Sequence, residues 1–381
     1  MTTQGRRFLL VCGGTGGHLA PGIALAERLI RLGHSCQLVV SEKTIDGRLS
    51  KKYTHLDFVT APGAPLAFSR QGLWRFVRST VRALIRSREI MKTFQPDVTV
   101  VFGGFLSPTF VLWSRLMGLP VALHEANQYA GKAVRVLSRI SHRVYAPEGV
   151  RTKGLNASKL VTIGYPLRLE IRPLESRLAR TRWGLTNDAK TLVILGGSQG
   201  AMALNQWVDS HYQIFSREGF NVIAVSGPTK GTHSSVELTT VSGEKMKAIF
   251  LPFVDDMSSL LTVADVVISR AGAGAIAELI ACAVPSILVP YPYAADKHQE
   301  ANARRLEEQG GCVVMDQDVL EEQLLKKLYV LLSEQDRLDT MRATLERLSK
   351  DDAAEAMALS LVEWVETFSG RSASFEGKVL A

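Results

Sequence analysis

The sequence predicts an α/β protein built from two doubly wound, Rossmann-like domains. Short apolar runs ending in glycine alternate with amphipathic stretches of helix length. The same grammar restarts near residue 191. At 381 residues the chain also exceeds the size at which a single hydrophobic core stops growing. Runs that are apolar throughout belong to parallel strands covered by helices on both faces, which sets this pattern apart from the alternation of an antiparallel sheet.

In the first half, "RFLLVC" (7–12) reads as a buried strand. It runs into the turn Gly13-Gly14-Thr15-Gly16-Gly17-His18, and Ala20–Leu32 reads as a helix closed by Gly33. "SCQLVV", "PDVTVVFGG", "PVALHE" and "RVYA" are the strands that follow, and "VTIGYP" (161–166) is the expected crossing between domains. The second half supplies "TLVILGGSQG", "NVIAVSG", "AIFLPF", "ADVVISRAGAG", "PSILVP" and "GCVVM". The expected division is residues 1–164 and 165–350, then a helix over 351–369 packing back on the first domain and a disordered tail over 370–381. In such sheets ligands bind outside the carboxyl ends of the strands, so the active site is expected in the cleft between the domains.

Charge is unevenly spread. Residues 1–150 carry 20 basic and 8 acidic side chains, a net of +12, whereas the rest carries 25 and 29, a net of −4. A basic half implies an anionic partner. The four cysteines lie in or beside apolar runs without C-x-x-C spacing, as reduced core residues of a cytosolic protein do. Two uncharged stretches, Val98–Ser114 and Leu279–Ala295, reach 17 residues and contain glycines or prolines, so both read as strand-and-turn rather than membrane span.

Five segments carry candidate chemistry. The first is the glycine turn at 13–17. Reading G-x-G-x-x-G from Gly14 puts Leu19 where the third glycine belongs, so the dinucleotide fingerprint of an oxidoreductase fails. What remains is a helix N-terminus whose bare backbone can approach an anion or a sugar. Gly196-Gly197-Ser198-Gln199-Gly200 offers backbone donors and a hydroxyl to a phosphate. In "SRAGAGAIAELIA", small residues open a helix and Glu278 follows one to two turns in, where a carboxylate can accept both hydroxyls of a ribose. "DKHQEAN" (296–302) places Gln299 and Asn302 for sugar hydroxyls, and "HEAN" (124–127) ends a strand. No Asp-x-Asp metal pair, no P-loop and no G-x-S-x-G occurs, and Asp255-Asp256 read as a helix cap.

Taken in order and spacing, "GGTGGHLAPG", "GGF-LS", "HEAN", "GGSQGA--LN", "PFVDDM", "ADVVISRAGAGAIAE" and "DKHQEANA" resemble the MurG family, the lipid I N-acetylglucosaminyltransferases of bacterial peptidoglycan synthesis. The similarity runs from about Phe8 to about Leu361. It implies the two-Rossmann GT-B fold and a hexosyltransferase that needs no cofactor and no bound metal. It implies inverting transfer of GlcNAc from UDP-GlcNAc to the MurNAc C4 hydroxyl of lipid I, giving lipid II. The N-terminal domain would take lipid I and the C-terminal domain the donor.

By the same resemblance, Thr15, Gly16 and Gly17 would face the donor sugar and the acceptor's pyrophosphate, and Asn127 the GlcNAc. Arg168 and Ser198 would serve the diphosphate, and the Val254 backbone the uracil. Ala273, Gly274 and Ala275 would take phosphates, Glu278 the ribose, and His298 with Gln299 the GlcNAc hydroxyls. An inverting transfer needs a base. His18 is the candidate base or orienter, its alternative role being a cap for a helix starting at Leu19, and Glu125 is the rival base. The chain departs from the family's usual Tyr, Gln, Asn, Thr and Gln at Phe105, Ala126, Tyr165, Ala275 and His298. Transfer to another lipid such as diacylglycerol, epimerisation of UDP-GlcNAc, or a non-catalytic UDP-GlcNAc-binding relative are the competing functions.

Leu66–Lys92 holds seven basic residues and one acid. On a helical wheel Arg75, Arg78, Arg82 and Arg86 share one side, and Leu73, Trp74, Val77, Val81, Leu84 and Ile85 the other. With Trp74 and Phe76 near its start, this helix is expected to hold the protein peripherally on anionic inner-leaflet lipids, at the cytoplasmic face of the membrane. No nucleic-acid partner is expected.

Overall fold

The computed structural model describes residues 5–13, 16–42, 50–63, 70–186, 188–196, 201–227, 233–349 and 352–379. Its contacts divide into two compact units, Met1–Arg168 with Asp351–Ala381, and Leu169–Lys350.

The first unit is a seven-stranded parallel sheet of β1 (Arg7–Val11), β2 (Ser35–Ser41), β3 (Asp57–Ala61), β4 (Val98–Val101), β5 (Val121–His124), β6 (Arg143–Ala146) and β7 (Leu160–Thr162). The order is β3-β2-β1-β4-β5-β6-β7. The chain winds outward from β1 through β2 to β3, then returns to lay β4 on the other side of β1. This reversal opens a crevice at the carboxyl ends of β1 and β4. Strand β3 has only one buried residue, Ala61, and lacks the apolar run that marks its neighbours in the sequence.

Helix α1 spans Gly16–Arg31, so it starts four residues before the expected Ala20. Glycines are poor helix formers and hide the start from any periodicity. Gly22 lets this helix lie against β1: a Cβ there would sit 2.1 Å from Cys12 Sγ. Helix α2 spans Arg70–Phe94; the side chains of Trp74, Arg75 and Phe76 lie outside the described residues. Its buried face is Ala83, Ser87, Ile90 and Met91, while Val81 and Ile85 are exposed beside Arg78 and Arg82. Val81 and Ile85, on the apolar side of the expected wheel, are thus not part of the buried face. Helix α2 packs against α3 (Ser107–Leu116), and Trp113 Nε1 donates to the Leu84 carbonyl at 2.9 Å. Helix α4 (Lys132–Leu137) precedes β6.

The second unit holds α5 (Ser176–Arg182), β8 (Thr191–Leu195), α6 (Met202–Arg217), β9 (Asn221–Val225), β10 (Ser234–Thr239), β11 (Lys245–Leu251), α7 (Met257–Val263), β12 (Val266–Ser269), α8 (Ala273–Ala281), β13 (Ser286–Leu288), α9 (His298–Glu308), β14 (Val313–Val314), α10 (Leu320–Ser333) and α11 (Gln335–Leu348). The sheet order is β10-β11-β9-β8-β12-β13-β14, with a reversal between β8 and β12. The polar, almost wholly exposed β10 pairs antiparallel with β11 at one edge. Fully buried Trp207, Phe215 and Leu204 of α6 fill the core.

Helix α12 (Ala353–Val379) belongs to the first unit. Met357, Ala358, Leu361, Trp364 and Val365 join the core that Leu19, Ile23 and Leu29 of α1 build. Buried Arg28 anchors it through Asp352 at 2.6 Å and Glu355 at 3.7 Å. The helix assignment runs to Val379, and no proline interrupts it. The four cysteines are free and buried, and burial raises the Cys282 thiol to about 12.

Candidate functional site

In the first unit the reversal sets the ends of β1 and β4 side by side, with Phe102 N donating to Val11 O at 3.0 Å. Gly13 is glycine for packing, because a Cβ would lie 2.0 Å from Leu106 Cδ1. Thr15 lies outside the described residues. Gly16 and Gly17 form the first turn of α1 and His18 is its third residue. His18 therefore lies inside the helix and is not a cap preceding Leu19. Its ring rests on the Gly103-Gly104 turn. Both glycines have positive φ, +92° and +81°. A Cβ on Gly103 would be 3.3 Å from His18 Nε2, and one on Gly104 would be 2.3 Å from the Gly13 carbonyl oxygen. Only glycine fits at either position.

His124, at the end of β5, is 2 % exposed and lies between Phe102 and Tyr165. Burial, helped by the nearby His18 imidazole, pushes its pKa down to about 3, so it is neutral at pH 7.

Glu125 organises the loop after β5. Its Oε1 accepts from Asn127 N and Asn127 Nδ2, both at 2.9 Å, and its Oε2 accepts from Gly131 N at 2.7 Å. Burial raises its pKa, and these bonds with one from Ala126 N oppose the shift. A carboxylate 4 % exposed with both oxygens engaged is a poor general base. Glu125, the rival base, thus also holds this loop and orients Asn127. Arg168 donates to Tyr53 Oη at 3.3 Å.

In the second unit the reversal brings the end of β8 beside the end of β12. Gly196 N donates to Val225 O, and Ser198 lies outside the described residues. Beyond β12, α8 begins at Ala273 with Gly272 before it and no side chain capping it. The first-turn N–H groups of Ala273, Gly274 and Ala275 carry the positive end of the helix dipole. Half-buried Glu278 follows one turn further along the same helix. Val254 is half-buried ahead of α7, and Asp256 caps α7 by accepting from Ser259 N at 3.1 Å.

Arg270 had no assigned role from sequence. It is 8 % exposed, and its guanidinium donates to Val289 O at 3.0 Å, Pro290 O at 3.3 Å and Gln317 Oε1 at 2.5 Å. It also lies over the Tyr291 ring, 5.5 Å from the centroid. An arginine directly after the buried strand β12 was the sequence signal of a buried cation. Gln317, in a short 3-10 turn far along the chain, gave none. Gln299 Oε1 accepts from Tyr291 N at 3.0 Å, which leaves its amide N–H groups to point elsewhere. His298 Nδ1 bonds the Ala295 carbonyl at 2.7 Å. Two successive left-handed residues, Asp296 and Lys297 with φ of +51° and +53°, form the turn before them. Asn302 is buried and donates to Ala271 O, tying α9 to the segment just before α8.

Among the described residues no cluster of three His, Cys, Asp or Glu side chains is arranged to hold a metal ion. Both units thus concentrate glycines, helix N-termini and hydrogen-bonding side chains at the reversal points of parallel sheets. That is the arrangement of a two-domain nucleotide-sugar glycosyltransferase. Accordingly, the N-terminal domain of glycosyltransferase family 28 matches residues 8–146 and its C-terminal domain matches residues 191–357.

The UDP-N-acetylglucosamine–N-acetylmuramyl-(pentapeptide) pyrophosphoryl-undecaprenol N-acetylglucosamine transferase of Opitutus terrae is 45% identical over 360 residues, 94% of this chain and 95% of that protein. The enzyme of the same name from Desulfitobacterium hafniense strain Y51 is 31% identical over 357 residues, 91% and 96% of the two chains. The chain belongs to this family of N-acetylglucosamine transferases. Among solved structures, Acinetobacter baumannii MurG aligns with a TM-score of 0.68 at 22% identity, covering 94% of this chain and all of that one. A putative UDP-N-acetylglucosamine 2-epimerase from Listeria monocytogenes aligns with 0.66 at 12%, covering 95% and 96%. These two likenesses are of fold alone.

Proposed function

We propose that this protein transfers GlcNAc from UDP-GlcNAc to the MurNAc C4 hydroxyl of lipid I, with inversion at the anomeric carbon, making lipid II for peptidoglycan. The observation that carries this reading is the 45% identity along almost the whole chain to a transferase of that name.

The strand ends supply roles for each part. In the second unit, the open N-terminus of α8 takes the donor diphosphate, and Glu278 accepts the ribose hydroxyls. The Val254 backbone holds the uracil, and Gln299 with His298 holds the GlcNAc. Arg168 and Ser198 serve the diphosphate. In the first unit Thr15, Gly16 and Gly17 leave room for the acceptor's pyrophosphate, and Asn127, fixed by Glu125, meets the GlcNAc. His18 takes the proton of the C4 hydroxyl as its oxygen bonds to the anomeric carbon; the bond from that carbon to the β-phosphate oxygen breaks on the opposite face, and UDP leaves with the electron pair. The helix dipole of α8 offsets the charge that grows on UDP.

No described helix is long and apolar enough to cross a membrane. Membrane attachment is peripheral in this reading. Val81 and Ile85 of α2 are exposed beside Arg78 and Arg82, and Leu112 and Leu116 of α3 are exposed as well. Each basic residue near an anionic leaflet contributes about 1 kcal/mol, and the apolar side chains add insertion.

Mass spectrometry after incubating UDP-GlcNAc with a short-chain lipid I analogue or with diacylglycerol tests the acceptor. Addition of one GlcNAc to the lipid I analogue alone is expected. Addition to diacylglycerol, or release of an epimerised sugar, refutes the reading.

A further inference from the structure

Pro21 is the sixth residue of α1. Proline has no N–H, so the carbonyl four residues earlier, that of Gly17, lacks its helical donor, and the pyrrolidine ring crowds that carbonyl. The missing bond is supplied from outside the helix. Tyr165 Oη donates to Gly17 O at 3.3 Å, across 148 residues of sequence. The tyrosine ring is itself held edge-on to His124, with centroids 6.2 Å apart at 73°, and His124 packs on Phe102 at 5.2 Å. Gly17 C=O belongs to the peptide unit whose nitrogen is that of His18. A bond that fixes this plane fixes the direction in which the His18 side chain leaves the helix.

We propose that Tyr165 is a positioning residue for His18, its hydroxyl replacing the helical hydrogen bond that Pro21 deletes. The inference rests on the reading of His18 as the base. It accounts for a tyrosine on the segment leaving β7 reaching back to the first turn of α1. It also assigns His124 a part as the buried neutral surface against which the tyrosine ring is set. A neutral imidazole in that place adds no charge beside His18.

The test is a double-mutant cycle. Tyr165→Phe keeps the ring on His124 and removes only the donor. Pro21→Ala returns a backbone N–H to Gly17 O. In the wild-type background Tyr165→Phe should lower kcat about tenfold, less than the ~10²-fold of a full 1 Å misplacement, with KM for UDP-GlcNAc unchanged. In the Pro21→Ala background the same substitution should change kcat by less than about twofold, because the carbonyl no longer needs the hydroxyl. An equal loss in both backgrounds, or no loss in either, overturns the proposal. His18→Ala separates the two layers. If it turns over like wild type, the base assignment fails. The urea midpoint then reads the bond alone: Tyr165→Phe should lower the midpoint only when Pro21 is present, and equal shifts in both backgrounds overturn the bond itself.

Discussion

Tyr291 donates its backbone N–H to Oε1 of Gln299 across 3.0 Å. The Gln299 amide orientation is therefore set by the chain just after β13, and that chain is clamped by Arg270 through the Val289 and Pro290 carbonyls. A side-chain amide whose oxygen is held by the backbone has its NH2 group oriented, and two oriented N–H donors suit sugar hydroxyl oxygens. Gln299→Ala should weaken binding of UDP-GlcNAc about tenfold while leaving UDP affinity unchanged, since only the sugar loses its donor. Calorimetry with both ligands checks this; an equal loss for UDP would place Gln299 on the nucleotide.

For Glu278, the expected loss is in the nucleotide itself. Glu278→Ala removes a charged acceptor for the ribose, worth about 1.5–3 kcal/mol, so UDP should bind about 10- to 100-fold more weakly. Titration with UDP alone reads it, and unchanged affinity would move the ribose away from α8.

Much of this was legible in the sequence. The continuous apolar strands and the glycines ending them follow from parallel pairing and close backbone approach, so two doubly wound α/β domains could be read, whereas the strand order could not. What escaped lacks such a signature. Strands β3 and β10 are edge strands with exposed residues and no apolar run. Hydrophobicity on a wheel does not rank burial on α2: Val81 and Ile85 are exposed, whereas Ala83 and Ser87 are buried. Glu125 looked like a base because its type fits; only the three-dimensional path of its loop reveals that both oxygens are occupied. The Arg270–Gln317 bond spans 47 residues and had no local trace.

Acid should destabilise the protein through His124. Its folded pKa, about 3, lies below the unfolded value near 6.5, so the unfolded state binds the extra proton. The stability this group contributes is present above pH 6.5 and is lost as pH falls toward 3, by up to about 1.4 kcal/mol per unit. Urea midpoints at pH 7 and pH 5 should therefore drop for wild type and drop less for His124→Phe. Identical drops would show that His124 is not the titrating group.

Membrane attachment should depend on the exposed face of α2. Arg78→Glu with Arg82→Glu should abolish sedimentation with phosphatidylglycerol vesicles, and Val81→Asp with Ile85→Asp should weaken it, while UDP binding stays normal in both. Wild-type sedimentation by either double variant would leave the face as ordinary surface.

The most direct test of the central claim is transfer of radiolabelled GlcNAc from UDP-GlcNAc to a short-chain lipid I analogue, with excess EDTA present and with wild type beside His18→Ala. Wild type should form the β-linked disaccharide product with EDTA present, and His18→Ala should be slower by about 10²–10⁴-fold with UDP affinity retained. No product from wild type, a strict need for added metal to bind the donor, or a His18→Ala rate within tenfold of wild type would contradict the account.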